Sequence, residues 1–512
     1  MKKACKATCL VAITLAATCC GIQGNSQTLE QIQQTSPAQV VDGVLSYIYG
    51  YPLMMFGVTG RTGTTVPDAM SKLGGAPLNQ FGKETVLPNA SFTAVVLPST
   101  STLYASSFIN LCEEPIILHL PNFGKRFFIM QMLDGWTEVS PLSPGSNKQS
   151  GEGNYALVGP SCNGHDQPLI TIPVVETIHI PTSSMWIIGR IYTNGSDEDI
   201  KDVVDNLYPG LTLTPLSKYK AGETFIPPDT LSVQPLADTV TPPLHQVAGM
   251  DACAFFQNMA AMMNFNLPVL PQDDLVVPSL LRLGLIEKNS DPTKGTVPYK
   301  GTNLDCTTID PNKLASMQQA VVLSQKVLKN IDVTRPTRTG WTVSLDVGTY
   351  GRRYLLRAEV AQDALGANRK EDAVYGYTQT DGGGNLLNGN KNYAIHFKAP
   401  LARVEQIPPV QGFWSVTIYD SAGKLVPWPN TTETLTWNAV GDPFVQNHHP
   451  CFNHDGSLDL YLQSTEPPDG SMQKCNWLPT PAGTGYIVFL RMYWPDDVIT
   501  SGKWVPPPIV SN

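Results

Sequence analysis

Charge is scarce in this chain. Of its 512 residues only 15 % are Asp, Glu, Lys or Arg, the net charge is −9, and no run of basic residues occurs after the N-terminus. An acidic chain without a basic stripe is a poor partner for nucleic acid or for anionic lipid. Long apolar runs are missing beyond the first 20 residues, so no later segment can span a bilayer as a helix. The signatures GxSxG, HExxH, the Walker loop and GxGxxG are absent, which removes the commonest nucleophile, metalloprotease and nucleotide-binding readings. There is no CxxC pair to hold a zinc knuckle, and no internal repeat of fixed period.

What is present points to an exported β protein. Pro (43) and Gly (42) are plentiful, which disfavours long helices and favours strands joined by turns. Lys2, Lys3 and Lys6 precede the uncharged stretch Cys9 to Cys20, the pattern of a signal peptide over residues 1–26. The expected location is periplasmic or extracellular, with a lipoprotein as the lesser alternative. Six cysteines follow that segment: Cys112, Cys162, Cys253, Cys306, Cys451 and Cys475. An even number in an exported chain permits disulfides. Cys451 with Cys475 is the preferred pair on proximity, and buried thiols are the alternative. Sequons stand at Asn89, Asn194 and Asn430.

Patterning divides the rest. Ser36-Pro37 opens a helix carrying Val40, Val41, Val44, Leu45 and Ile48 on one face, expected to stop near Gly50-Tyr51-Pro52. Strand-like runs follow at Phe92–Leu97, Pro115–Leu120, Phe127–Leu133 and Met185–Tyr192, closed by a short capped helix over 196–208. Residues 209–310 read as a Pro-rich connection over the surface, with a helical patch near 251–264. Asp310-Pro311 opens a helix that ends before Pro336. A second strand-rich region holds a helix over Arg353–Leu365 and strands at Tyr393–Phe397, Phe413–Tyr419, Leu458–Leu462 and Tyr486–Trp494. The expected fold is mainly β with α additions: two β-sandwich or jelly-roll-like domains, 37–220 and 336–507, joined by a connection over 221–335 with its helix at 311–331.

Candidate chemistry is sparse. Arg190 and Arg491 interrupt apolar strands, Asp134 ends one, and Arg357 and Asp455 resemble them. Burying such charges costs free energy unless they are paired. They form either structural clamps or an acid–base site, with Asp134 or Asp455 as acid or base and an arginine holding an anionic group. The run His448-His449-Pro450-Cys451-Phe452-Asn453-His454-Asp455 has metal-ligating residue types, but its spacing fits no known ligand pattern, so it reads as a polar loop and no metal or cofactor is expected. Trp414, Trp428, Trp437, Trp477, Trp494 and Trp504 suit core packing, or stacking on a glycan.

Several segments together resemble one family. Tyr350-Gly351-Arg352-Arg353-Tyr354-Leu355-Leu356-Arg357-Ala358 is similar to a YG-x-x-YL-x-RA motif. Glu371 to Tyr375, Phe413 to Asp420, Asp455 to Leu458, Asn476 to Pro481 and Leu490 to Tyr493 follow in order. Gly50-Tyr51-Pro52-Leu53, Asp134-Gly135-Trp136-Thr137 and Gly189-Arg190 match more loosely in the first half. The chain resembles proteins that join a DUF-1254 domain to a DUF-1214 domain, both of unknown function. One departure is at Pro98 to Tyr104, where Ser99 and Ser101 stand in place of an asparagine and an aspartate. The resemblance implies a two-domain, mainly β fold and frequent export, and implies no reaction. Two readings follow: a binding or structural protein with a small-molecule or glycan ligand between two β domains, or an exported hydrolase acting at their junction. A homo-oligomer is compatible with either.

Overall fold

The computed structural model describes residues 35–66, 74–91, 97–146, 151–160, 167–223, 238, 240–289, 298–331, 336–399, 406–427, 436–438 and 451–512. The expected signal segment, most of Phe92–Leu97, Cys162, Trp428, the sequon at Asn430 and His448 to Pro450 lie outside these residues. No helix among the described residues is long and apolar enough to cross a membrane.

The expected fold class, mainly β with helical additions, is the one observed. The first β domain holds β1 (Gly82–Lys83), β2 (Thr102–Asn110), β3 (Ile116–Leu120), β4 (Phe128–Asp134), β5 (Gly153–Val158), β6 (Glu176–His179), β7 (Ser184–Tyr192) and β8 (Thr212–Pro215). They form sheets ordered β1-β2-β7-β4 and β6-β5-β3-β8. Leu103, Met130 and Ile187 of the first sheet share a core with Leu118, Leu157 and Leu213 of the second. A helix at Asp197–Asp202 follows, capped by the Ser196 side chain.

A central helical layer replaces the expected surface connection. Its helices are α1 (Pro37–Thr64), α2 (Ala252–Met262), α3 (Val277–Leu283), α4 (Pro311–Asn330) and α5 (Tyr354–Asp363), with a hairpin of β9 (Ile286–Lys288) and β10 (Tyr299–Gly301). Phe255, Phe256, Met259 and Leu280, inside the stretch read as surface-wrapping, are fully buried against Tyr47, Leu53 and Met54 of α1. The proline-rich texture hid short helices whose apolar faces close on a common centre. For the same reason α1 runs through Pro52 to Thr64 rather than stopping at Gly50. An interior proline costs about 3 kcal/mol, and burial of α1 on nearly every side between Ser46 and Phe56 offsets that cost. The fit is close: a Cβ on Gly43 would stand 2.5 Å from the Ala320 Cβ of α4, and one on Gly50 would clash with the Met259 side chain of α2. Asp310 caps α4 by accepting hydrogen bonds from the Asn312 and Lys313 amides.

The second β domain holds β11 (Thr342–Ser344), β12 (Ala373–Thr378), β13 (Tyr393–Phe397), β14 (Trp414–Asp420), β15 (Thr436–Asn438), β16 (Leu458–Gln463), β17 (Trp477–Pro479), β18 (Tyr486–Tyr493) and β19 (Ile509–Ser511). Its sheets are ordered β11-β12-β18-β14-β15 and β17-β16-β13-β19. Val374, Val416 and Leu490 meet Ile395, Leu460 and Leu478 in their shared core. Disulfides join Cys451 to Cys475, the preferred pair, and Cys253 to Cys306.

The two β domains touch through sheet faces turned away from their own cores. Ile129 of β4 and Tyr192 of β7 pack with Ala373 of β12 and Tyr493 of β18, joined by Phe127 and Phe413. Successive side chains of a strand point to opposite faces. A sheet covered on both faces therefore buries whole strands, and β4 is buried along its entire length.

Candidate functional site

Two polar clusters stand out, one at the seam between the β domains and one where the first β domain meets the helical layer. The first is built on alternate positions of strands whose other positions enter the two cores. Arg190 lies on β7, opposite Tyr104 of β2 and Ile129 of β4. Arg491 lies on β18, opposite Tyr375 of β12 and Ser415 of β14. Tyr104, Tyr375 and Tyr493 each lie within electrostatic reach of both arginines, so residues 301 positions apart belong to one site.

Neutral groups hold both guanidinium groups. Arg190 donates to Gln131 Oε1, to Asn368 Oδ1 (3.3 Å) and to the Gly366 carbonyl (3.0 Å). Arg491 donates to the Leu97 carbonyl (2.8 Å), to the Tyr419 hydroxyl (2.8 Å) and to Thr417 Oγ1 (3.3 Å). Tyr419 in turn donates to the Pro98 carbonyl at 2.6 Å. The Phe489 ring stands 4.4 Å from the Arg491 guanidinium and the Tyr104 ring 5.5 Å from that of Arg190. Both arginines are buried, at 8 % and 4 % exposure, and among the described residues neither forms an ion pair or hydrogen bond with a carboxylate. Glu84, whose amide donates to the Tyr104 carbonyl at 2.8 Å, is an acid next along this sheet. Burial pushes its carboxyl up to about 7, so it supplies no full counter-charge at neutral pH. Tyr104, Tyr375 and Phe489 are only half-buried, so the cluster reaches the surface.

The second cluster surrounds Arg357 of α5, which is fully buried. Rings of Tyr49, Tyr354 and Trp136 lie 5.2, 5.3 and 5.8 Å from its guanidinium. Glu138 and Asp273 approach it only to 3.6 and 3.8 Å, beyond hydrogen-bonding distance. Glu138 instead accepts from the Tyr350 and Gly351 amides, both at 2.8 Å. Asp273 accepts from the Tyr49 hydroxyl (2.8 Å) and the Val269 amide (2.9 Å). Asp134 accepts from the Trp136 and Glu138 amides; burial, reinforced by the Glu138 charge, pushes its carboxyl up to about 7. Burial also raises Glu138 and Asp273. This cluster ties the end of β4, the helical layer and the 350–357 segment together, and it is closed to solvent at its arginine.

The five residues singled out by sequence therefore do not form one site. Arg190 and Arg491 come together, Asp134 joins Arg357, and Asp455 belongs with neither: it lies exposed on a loop, accepting from the amide and hydroxyl of Ser457. Of the two expected acids, Asp134 therefore lies by an arginine, Arg357, and Asp455 stands apart on its loop. Sequence reasoning missed Tyr104, Tyr375, Gln131, Glu138 and Asp273. Polar residues at every second position of an apolar strand were the available signal for the first three. Among the described residues no group of three or more His, Cys, Asp or Glu side chains could hold a metal ion. Two surface clefts, of 310 and 430 Å³, flank the Asp197–Asp202 helix instead; the Arg126 ion pairs with Asp199 and Asp202 line the first.

Comparison with known proteins fits this architecture. Residues 78–215 match the family described as protein of unknown function DUF1254, and residues 372–497 match that described as protein of unknown function DUF1214. No curated protein matches the chain. The solved structure of the VPA0106 protein from Vibrio parahaemolyticus is 20 % identical and covers 93 % of this chain and 100 % of its own, with a TM-score of 0.61, which shows a shared fold. An uncharacterized protein from Burkholderia cenocepacia, 9 % identical, covers 91 % of this chain and 87 % of its own at a TM-score of 0.37, too low to support an argument.

Proposed function

This chain belongs to the family that joins a DUF1254 domain to a DUF1214 domain, and on that footing we propose that it is an exported binding protein for a small organic anion, held at the seam between its β domains by Arg190 and Arg491. The observation that carries this reading is the pair of buried guanidinium groups, one from each β domain, with no carboxylate partner among the described residues. Arginine stays charged at any physiological pH, and an unneutralised buried charge costs several kcal/mol. A bound anion removes that cost. The disulfides support export, since such bonds persist in oxidising compartments.

Binding is favoured over hydrolysis by the separation of parts. Arg190 and Arg491 have no nucleophile beside them and only Glu84, one strand further along the sheet, as a nearby acid, while the acids that directly flank an arginine face a fully buried Arg357. The test is calorimetric titration and thermal melting of the protein against a panel of small carboxylates, phosphates and sulfates. A ligand at 100 times its Kd stabilises the fold by about 2.7 kcal/mol. Arg491→Met should abolish that gain. If no anion raises the melting temperature of the unaltered protein, or if the gain survives in both Arg190→Met and Arg491→Met, the reading is wrong.

A further inference from the structure

We infer that the ligand of this seam is a dianion, with one negative charge for each of the two guanidinium groups; this deepens the binding reading above and rests on it. Charge count is the first argument. Arg190 and Arg491 are both buried, both held by neutral acceptors, and share Tyr104, Tyr375 and Tyr493 as neighbours. A monoanion would neutralise one and leave the other buried without a partner, which is the costly arrangement. Two charges on one ligand complete both.

The balance of donors and acceptors is the second argument. Arg190 and Arg491 each make three hydrogen bonds to protein, so each guanidinium keeps N–H groups to spare. The Tyr375 hydroxyl accepts from Asn368 Nδ2 at 2.5 Å, which leaves its own proton to donate. The Tyr493 hydroxyl, on a ring 1 % exposed, makes no hydrogen bond among the described residues. Acceptors are already engaged: Gln131, Asn368 and the Gly366 carbonyl face Arg190, and the Leu97 and Pro98 carbonyls face Arg491 and Tyr419. A surface rich in free donors and poor in free acceptors fits a ligand rich in lone pairs. The half-buried rings of Tyr104, Tyr375 and Phe489 offer apolar flanks for a flat or short carbon skeleton between the charges.

Dicarboxylates and phosphate or sulfate groups share this chemistry, and matched ligands separate them. Titration calorimetry in a buffer free of polyvalent anions would compare succinate with monomethyl succinate and phthalate with benzoate, and would add inorganic phosphate and sulfate singly. The expected result is that a dianion binds at least about tenfold more tightly than its monoanionic counterpart. A preference for succinate or phthalate assigns two separate carboxylates; a preference for phosphate or sulfate assigns one doubly charged group. Gln131→Glu places a carboxylate against Arg190 with little change of volume, so it should erase the dianion preference while monoanion binding persists. Equal affinities for matched pairs, lost together in Arg491→Met, would overturn the dianion and leave the binding site standing. Binding that is absent from the unaltered protein, or indifferent to both Gln131→Glu and Arg491→Met, would overturn the site as well.

Discussion

Replacing Arg357 by methionine tests the electrostatics that tie the first β domain to the helical layer. The guanidinium stands 3.6 Å from Glu138 and 3.8 Å from Asp273. With an effective dielectric constant of about 20, each attraction is on the order of 4–5 kcal/mol. Much of that offsets the desolvation of the ions themselves. Backbone amides would still hold both carboxylates after the change. Methionine also keeps most of the apolar contact with Tyr49, Trp136 and Tyr354, so a cavity contributes little. The expected net loss is that of stranding buried carboxylates, ~3–5 kcal/mol. It should depend on pH with a definite sign. Loss of the arginine raises the folded-state pKa of the acids further above their unfolded values. The stranded acids then cost most where the unfolded chain is fully ionised, and protonation relieves them as pH falls. Differential scanning calorimetry at pH 8 should show melting lowered by roughly 3–5 °C, and a smaller drop at pH 5. Adding Asp273→Asn should recover part of the loss. Unchanged melting at pH 8, or an equal drop at both pH values, would refute this account.

Two further outcomes are expected. Because burial pushes the Asp134 carboxyl up to about 7, the folded state keeps a proton that the unfolded chain releases near pH 4. That group's contribution to stability therefore falls as pH rises from about 4 to 7 and then levels off. Asp134→Asn keeps the acceptor for the Trp136 and Glu138 amides and should flatten this part of the profile, melting higher than the parent at pH 8; an unaltered profile would remove Asp134 from the account. Gly43→Ala places a methyl 2.5 Å from the Ala320 Cβ and should cost ~1–3 kcal/mol, with Ala320→Gly in the same chain restoring part of it. Additive losses in the double variant would show that the two helices do not meet there.

Much of the local structure was legible because its causes are local. Asp310-Pro311 caps α4 as its residue types demand, and β3, β4, β7, β13, β14, β16 and β18 coincide with the apolar runs. The cost of burying charge singled out Arg190, Arg357 and Arg491, and all three are buried. Asp455 was misplaced among them because a polar loop offers its carboxylate a local partner, Ser457, that needs no distant charge. The stop expected at Gly50-Tyr51-Pro52 failed because helix propensity yields to packing when a helix is enclosed on most sides.

By itself the chain determined its family resemblance, the positions of most strands and capped helices, and most of the charges that burial would make expensive, and it favoured the Cys451–Cys475 bridge without deciding between that bridge and free thiols. Each depends on residues close in sequence. Only the tertiary structure decided that the proline-rich middle closes into a helical core, that the two sandwiches meet through their outer faces, and that Arg190 and Arg491 share the neighbours Tyr104, Tyr375 and Tyr493. The physical reason is register and face. The period of a strand states that alternate side chains point together, but which sheet they point at is set by contacts hundreds of residues away.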